Sequence, residues 1–360
     1  MGESVKHTQC TRRGVLAVGG GIALSGCVGR LGGGEETPSD EGVDGESVSL
    51  LLNWNLGGLH APYVAAREEG FYEAEGFANV ELESGDGSDF AANQAGLGNT
   101  EFAVSSADQI LAVNDNELSP RAVGIVMQRN PNVIFADREG FGELADPERL
   151  EGATVGSGPG MVRTMAEAYL DRYDLLDTVE YVDSGFDTVQ QLLAGEIDVA
   201  AGVFGDVVDA RHQGREIDVL EIHDAVPSYG HLIATEESFA EDNPETVAAF
   251  LRATARGTVW ATRNPEEAID HLVDVQPELE ETRENQYEKW AEMHAGYVRS
   301  ETVETEGWGA SAPEPWAETR DVLAEAGVLE SEVDPSEVWT NEYLDDEDEY
   351  VSAFADRIDG

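Results

Sequence analysis

The sequence predicts an α/β fold of two lobes with a hinge between them, followed by a helical C-terminal segment that packs on the first lobe. Three observations carry this. From residue 48 to 130, short apolar runs alternate with helical stretches over short connections. The rhythm restarts at residues 153–155 and runs on to 235. From Pro244 onward the apolar spacing is helical only, with Pro265, Pro277, Pro313 and Pro335 as punctuation. The expected bounds are 48–130 plus 232–360 for lobe 1 and 131–231 for lobe 2. Two extended crossings, near 129–135 and 229–233, would form the hinge.

The elements follow in order. Residues 48–52 read as a buried strand, and the Gly57-Gly58 loop leads to a helix over 61–69, with Pro62 in its first turn. Residues 79–83 are a second strand, and Asp86 or Ser88 caps a helix over 89–95. Residues 102–105 are a third strand, with Ser106 and Asp108 opening a helix to Val113. Strands follow at 121–127 and 133–136. In lobe 2, strands are expected at 153–155, 179–182, 197–201 and 218–222, with helices over 161–173, 188–194 and 207–212 between them. A strand at 232–235 closes the pattern. Such alternation implies mostly parallel sheets. The later helices span 245–263, 266–275, 281–295 and 314–326, with Trp260 and Trp290 as core.

At 360 residues the chain has room for two lobes. Its charge narrows the class: 74 acidic residues against 21 basic give a net −53. The acids are spread among periodic apolar runs, unlike those of a disordered acidic tail. A folded surface this acidic repels itself unless salt screens it, as in a halophile's protein. Nucleic acid is excluded as a partner, since phosphates need basic patches. The run 345–349 reads as solvated acidic surface.

The two cysteines, Cys10 and Cys27, leave no disulfide scaffold or cysteine-rich metal site in the body. The histidines lack metal-ligand spacing, and no nucleophile elbow is present, so neither cofactor nor enzyme activity is expected. His60 with Asp108 or Asp206 leaves an acid–base pair open.

Arg12-Arg13 precede an apolar run over 15–24, too short to span a bilayer, which takes about 20 residues. This resembles a twin-arginine export signal. Leu24-Ser25-Gly26-Cys27 resembles a lipobox, whose cleavage leaves Cys27 lipidated. Residues 1–27 are therefore expected to be a signal peptide and 28–47 a flexible acidic tether. The body would be exported and anchored by lipid to the outer face of the cell membrane.

The candidate site starts from Asn53, Trp54, His60 and Tyr63, which converge on a strand-to-helix turn. Sheets of this kind bind ligands at that end of their strands. Trp54 and Tyr63 would wall a flat ring, with His60 as a polar handle; the other reading makes both aromatics core. Ser88 lies on the next such turn. Ser106 and Asp108 either bond a ligand amine or cap their helix. The turn 156–160, with Ser157 and Gly158, is neither a Walker loop nor a dinucleotide fingerprint. Its backbone N–H groups would hold a ligand, or it is a plain turn. Phe204 and Asp206 occupy the matching turn of lobe 2 and would face the first cluster on closure. Tyr229 either covers the ligand or packs the hinge.

Asn53-Trp54, His60, Tyr63-Val64-Ala65 and Glu69-Gly70-Phe71-Tyr72 together resemble the opening of substrate-binding proteins of ABC importers. The branch is the one for nitrate, sulfonates, taurine and thiamine pyrimidine precursors. Gly87-Ser88, Ser105-Ser106-Ala107-Asp108 and the turn 156–160 match further positions, over about 48–265. The resemblance implies a type II periplasmic-binding fold, with a membrane permease and its ATPase as partners. The tryptophan–histidine opening is most similar to the pyrimidine-precursor binders, so the resemblance implies a small heterocycle in the interlobe cleft; sulfonate-, nitrate- or taurine-type anions are the alternative. Those binders often carry glutamate where Asp206 stands here. An enzyme of the same branch makes the thiamine pyrimidine and depends on a cysteine-rich iron motif, which this chain lacks after Cys27.

Overall fold

The computed structural model describes residues 43, 45–116, 118–158, 160–185 and 187–359. The leader with Arg12-Arg13 and Cys27, the tether residues 28–42 and 44, and Pro159 of the glycine-rich turn lie outside them.

Among the described residues, ten strands form two five-stranded sheets. They are β1 (Ser47–Leu51), β2 (Asn79–Glu83), β3 (Phe102–Ser105), β4 (Pro120–Ile125), β5 (Asn132–Asp137), β6 (Thr154–Ser157), β7 (Glu180–Asp183), β8 (Val199–Val203), β9 (Ile217–Glu221) and β10 (Leu232–Glu236). The first sheet runs β2-β1-β3-β10-β4 and the second β7-β6-β8-β5-β9. Leu50, Leu52, Phe102, Val104 and Ile233 are fully buried, which explains the near-continuous apolar character of the central strands.

The expectation of mostly parallel sheets needs correction. β1 pairs parallel with β2 and β3, and β6 with β7 and β8. β10 is antiparallel to β3 and β4, and β5 is antiparallel to β8 and β9. The reason is the hinge. The strand that follows a crossing starts at the end where its neighbours finish, and so runs against them.

The crossings occupy 126–131 and 225–231, slightly earlier than the spacing suggested, because 132–137 belongs to β5. They lie side by side. The N–H groups of Val126 and Met127 donate to the His231 carbonyl at 2.9 and 2.8 Å, and Gly230 N–H donates to Met127 at 3.1 Å. A Cβ at Gly230 would sit 2.9 Å from Met127 and 3.0 Å from the Arg129 carbonyl, so only glycine allows this approach.

The C-terminal helices pack on lobe 1, as expected, and also on lobe 2. Helix Pro244–Arg263 lies against helix Ala61–Glu68. Contact is close because a Cβ on Gly257 would fall 2.4 Å from the Pro62 carbonyl. Trp290 is fully buried and donates to the Ala261 carbonyl at 3.0 Å. Trp260 is partly buried and stacks on His271. Helix Arg283–Gly296 bridges the lobes. Its Gln286 Oε1 accepts from Gly58 N–H at 2.8 Å. On the lobe 2 helix Phe204–His212, Asp209 accepts from Asn285 and pairs with Lys289, both at 2.8 Å, and Arg211 pairs with Glu292 at 2.6 Å. Helix Pro313–Glu325 brings Trp316 against Tyr229 and bonds Thr319 to Ser228 at 2.8 Å.

Two further corrections concern the ends. Val43 is buried against Gly76, and Gly45 N–H donates to the Gly76 carbonyl, so the last tether residues belong to lobe 1. Within 345–349, Asp345 pairs with Arg252 at 3.2 Å and Asp348 caps helix Glu349–Ser352, so this acidic run is partly structural.

A neutral histidine pair at the candidate ligand site

The site is built where β1, β2 and β3 end and β10 begins. After β1 the chain turns through Asn53 and Trp54 into a single 3-10 turn, Gly58–His60, before helix Ala61–Glu68. Gly58 is required, because a Cβ there would meet the Gln286 carbonyl at 2.1 Å. This turn seats His60, which is 3% exposed. The loop after β2 closes over it: Gly85 N–H donates to the Trp54 carbonyl and Leu56 N–H to Ser84 Oγ.

Four side chains then form one chain of hydrogen bonds. Gly57 N–H donates to His60 Nδ1 at 3.3 Å, so His60 carries its proton on Nε2, which donates to Asn53 Oδ1 at 3.0 Å. The Asn53 amide nitrogen donates to Ser88 Oγ at 3.3 Å and meets His231 Nε2 at 3.1 Å. His231 Nε2 is therefore an acceptor, and the proton of this ring sits on Nδ1. The two imidazoles stack with centroids 5.6 Å apart and planes 11° apart. Burial lowers both pKa values, His60 well below its ordinary value with a further push from His231, and His231 to about 4. At neutral pH the pair is uncharged.

His231 escaped the sequence reading. It is a lone histidine ahead of a strand, and only the antiparallel insertion of β10 beside β3 brings it to Asn53. Ser88 is expected as a helix cap and as a ligand contact. It is the first residue of helix Ser88–Gly96 and does not cap it, and its hydroxyl accepts from the Asn53 amide.

Asp108 is buried at the start of helix Ala107–Asp115. Burial raises its pKa against opposing hydrogen bonds from Ser106 and from Gln109, whose amide donates at 2.9 Å. Ser106 holds the N-cap position, but its side chain makes no capping bond to the backbone. Trp54 is 53% exposed, so its ring is open for stacking. Tyr63 is fully buried in the core, its ring 6.4 Å from that of His60.

The residues expected from lobe 2 and the hinge each have partners of their own. Phe204 stacks on Tyr297 at 4.5 Å and lines a cavity of about 370 Å³ with Val207, Arg211, Glu221 and Glu292. Tyr297, just past helix Arg283–Gly296, takes its face. Asp206 turns its carboxylate back to accept from Val203 N–H at 2.8 Å, and burial raises its pKa. Ser157, at the end of β6, donates to the Gly158 carbonyl at 2.9 Å. A Cβ on Gly158 would meet the Gly185 carbonyl at 2.9 Å. Tyr229 is buried, and its hydroxyl accepts from Ala312 N–H at 2.8 Å, so it packs the hinge.

Two sheets, each taking in antiparallel the strand that follows a crossing, joined by two adjacent crossings, define the two-lobed periplasmic-binding-protein class. Escherichia coli aliphatic sulphonate binding protein SsuA shares this fold with a TM-score of 0.64 at 13% identity, over 81% of this chain and 91% of its own. The chain belongs to the NMT1/THI5-like family, whose description matches residues 58–268. Chloroflexus aurantiacus riboflavin-binding protein RibY is 27% identical over 83% of this chain and 86% of its own. The formylaminopyrimidine-binding protein of Halalkalibacterium halodurans is 28% identical over 65% of this chain and 72% of its own. A Legionella pneumophila relative named 4-amino-5-hydroxymethyl-2-methylpyrimidine phosphate synthase is 28% identical, covering 64% and 74%.

Proposed function

We propose that this chain is the extracytoplasmic solute-binding component of an ABC importer, holding a small uncharged heterocycle of the aminopyrimidine or flavin kind. The observation that carries the choice of ligand is the buried, neutral Asn53–His60–His231 cluster beside the half-exposed Trp54. Among the described residues, none of its hydrogen bonds involves Arg or Lys, and the buried carboxyl of Asp108 follows the same end of β3. A sulfonate or nitrate would gain no charge-assisted hydrogen bond from this cluster. A planar ring gains a stacking face and neutral donors and acceptors. Relatives named for riboflavin and formylaminopyrimidine support the same reading.

The family also contains proteins named as pyrimidine synthases. The cysteine-rich motif that the resemblance attaches to that activity has no counterpart here, where Cys10 and Cys27 are the only cysteines. This supports a binding protein over an enzyme. The leader motifs support export and a lipid anchor at Cys27, and the binding-protein reading implies a permease with its ATPase as partners.

Calorimetry in about 3 M KCl, where surface charge is screened, tests this with riboflavin, formylaminopyrimidine, nitrate and taurine. One of the heterocycles should bind, and neither nitrate nor the sulfonate-bearing zwitterion taurine should. A stacked ring is worth about 1–3 kcal/mol, so Trp54→Ala should weaken binding roughly 10- to 100-fold at about 1.4 kcal/mol per decade. Binding of an anion alone, or of none of the four, would overturn the heterocycle reading. Cell fractionation completes the test: Cys27→Ser should release the protein from membranes, and a wild type found wholly in the cytoplasm would refute export.

A further inference from the structure

Both hinge crossings carry a buried hydrogen-bond donor with no partner among the described residues. On 225–231 it is His231 Nδ1, in a residue 7% exposed, and on 126–131 it is Asn130 Nδ2, in a residue 1% exposed. An unpaired buried donor costs about 1–3 kcal/mol, so each one calls for an explanation, and these two stand out among the nine such buried polar atoms of the described residues because they lie on the crossings. The tautomer of His231 is not free to change and remove the cost. Asn53 donates to its Nε2, and Asn53 in turn is oriented by His60, whose own tautomer is set by Gly57 N–H. The relay runs from main chain to ring to amide to ring and ends in an N–H without an acceptor.

We infer that His231 is a ligand-reading residue whose Nδ1–H donates to an acceptor on the bound molecule, a carbonyl oxygen or an unprotonated ring nitrogen. This rests on the binding-protein reading above and adds to it a residue and a chemical requirement. Aminopyrimidine and isoalloxazine rings both carry such acceptors. A ring bearing only donors on the edge it presents is refused, because it would leave the imidazole N–H unpaired and add an unpaired donor of its own. In the present state Nδ1 is closed off from water. His231 lies on a hinge crossing, so a rotation of one lobe against the other would change what lies against it and let the acceptor in.

Two substitutions separate the ends of the ring. His231→Gln keeps a polar atom near the Nε2 position, which accepts from Asn53, and loses the Nδ1 donor. His231→Asn keeps a donor near Nδ1 and loses the partner of Asn53. The affinity of whichever of riboflavin, formylaminopyrimidine, nitrate and taurine binds the wild type should fall at least 10-fold in His231→Gln and about threefold or less in His231→Asn, at about 1.4 kcal/mol per decade. Histidine 15N–1H correlation spectra of the free protein should show His231 protonated on Nδ1, and its N–H resonance should shift when that probe is added. A proton on Nε2 in the free protein, an N–H that does not move on saturation, or a His231→Gln variant that binds like the wild type would each overturn the inference. An anion that binds and still shifts His231 would overturn the heterocycle reading and support the donor role, so the two fail separately.

Discussion

At the scale of single residues, the candidate site sets two buried, uncharged imidazoles face to face. Their stacking at 5.6 Å would be repulsive if both were protonated, and burial keeps them neutral. Stability should therefore vary with pH. In the unfolded chain His231 takes its proton near the ordinary value of 6.5, while in the fold it does so only near 4. Between these values the unfolded state holds more protons, so stability is full above about pH 6.5 and falls as pH drops toward 4. At about 1.4 kcal/mol per pKa unit, the loss from this residue reaches about 3 kcal/mol. Thermal unfolding across that window should show a flatter pH dependence for His231→Gln than for wild type; equal slopes would mean that the ring is not held neutral. Asn53 and His60 were legible in the sequence because they flank one short turn. His231 was not, because 178 residues separate it from Asn53 and nothing in local periodicity encodes a pairing made by sheet insertion.

At the scale of elements, the C-terminal segment accounts for most of the differences from expectation. Helix Arg283–Gly296 was readable from its spacing, but its partners were not. It holds Gly58 of lobe 1 and Asp209 of lobe 2 together, and the neighbouring Tyr297 takes the ring of Phe204. Phe204 and Asp206 were therefore legible as residues of a strand-to-helix turn, not as residues already engaged by other partners. Tyr229 follows the same pattern, bound to Ala312 ahead of helix Pro313–Glu325. Tyr229→Phe should leave Ala312 N–H unpaired and cost about 1–3 kcal/mol in stability. Ligand affinity should stay within about twofold, a few tenths of a kcal/mol. Thermal unfolding and calorimetry on the same variant check both; unchanged stability with weakened binding would return Tyr229 to the ligand.

At the scale of the whole molecule, charge and topology dominate. The arginines are largely engaged, Arg252 with Glu75, Glu245 and Asp345, and Arg283 with Glu266 and Asp270. Exposed pairs of this kind each contribute little, and a net charge of −53 remains to be screened. The unfolding temperature should fall steadily as KCl is lowered from about 3 M to about 0.1 M, where the Debye length is near 10 Å. A midpoint that does not change would refute the halophile reading. Two lobes and a hinge were legible because strand–helix alternation restarts at residue 153. The antiparallel members were not, because the direction of a strand depends on where the chain comes from and not on its own residues. That arrangement has a consequence for synthesis. All strands of the second sheet lie within 132–221, so it can be completed from one continuous stretch. The first sheet cannot: β10 separates β3 from β4, and a nascent chain that ends before residue 232 leaves both with open edges. The half of the protein made first is thus the half finished last, and it depends for that time on whatever shields unpaired strands as they leave the ribosome.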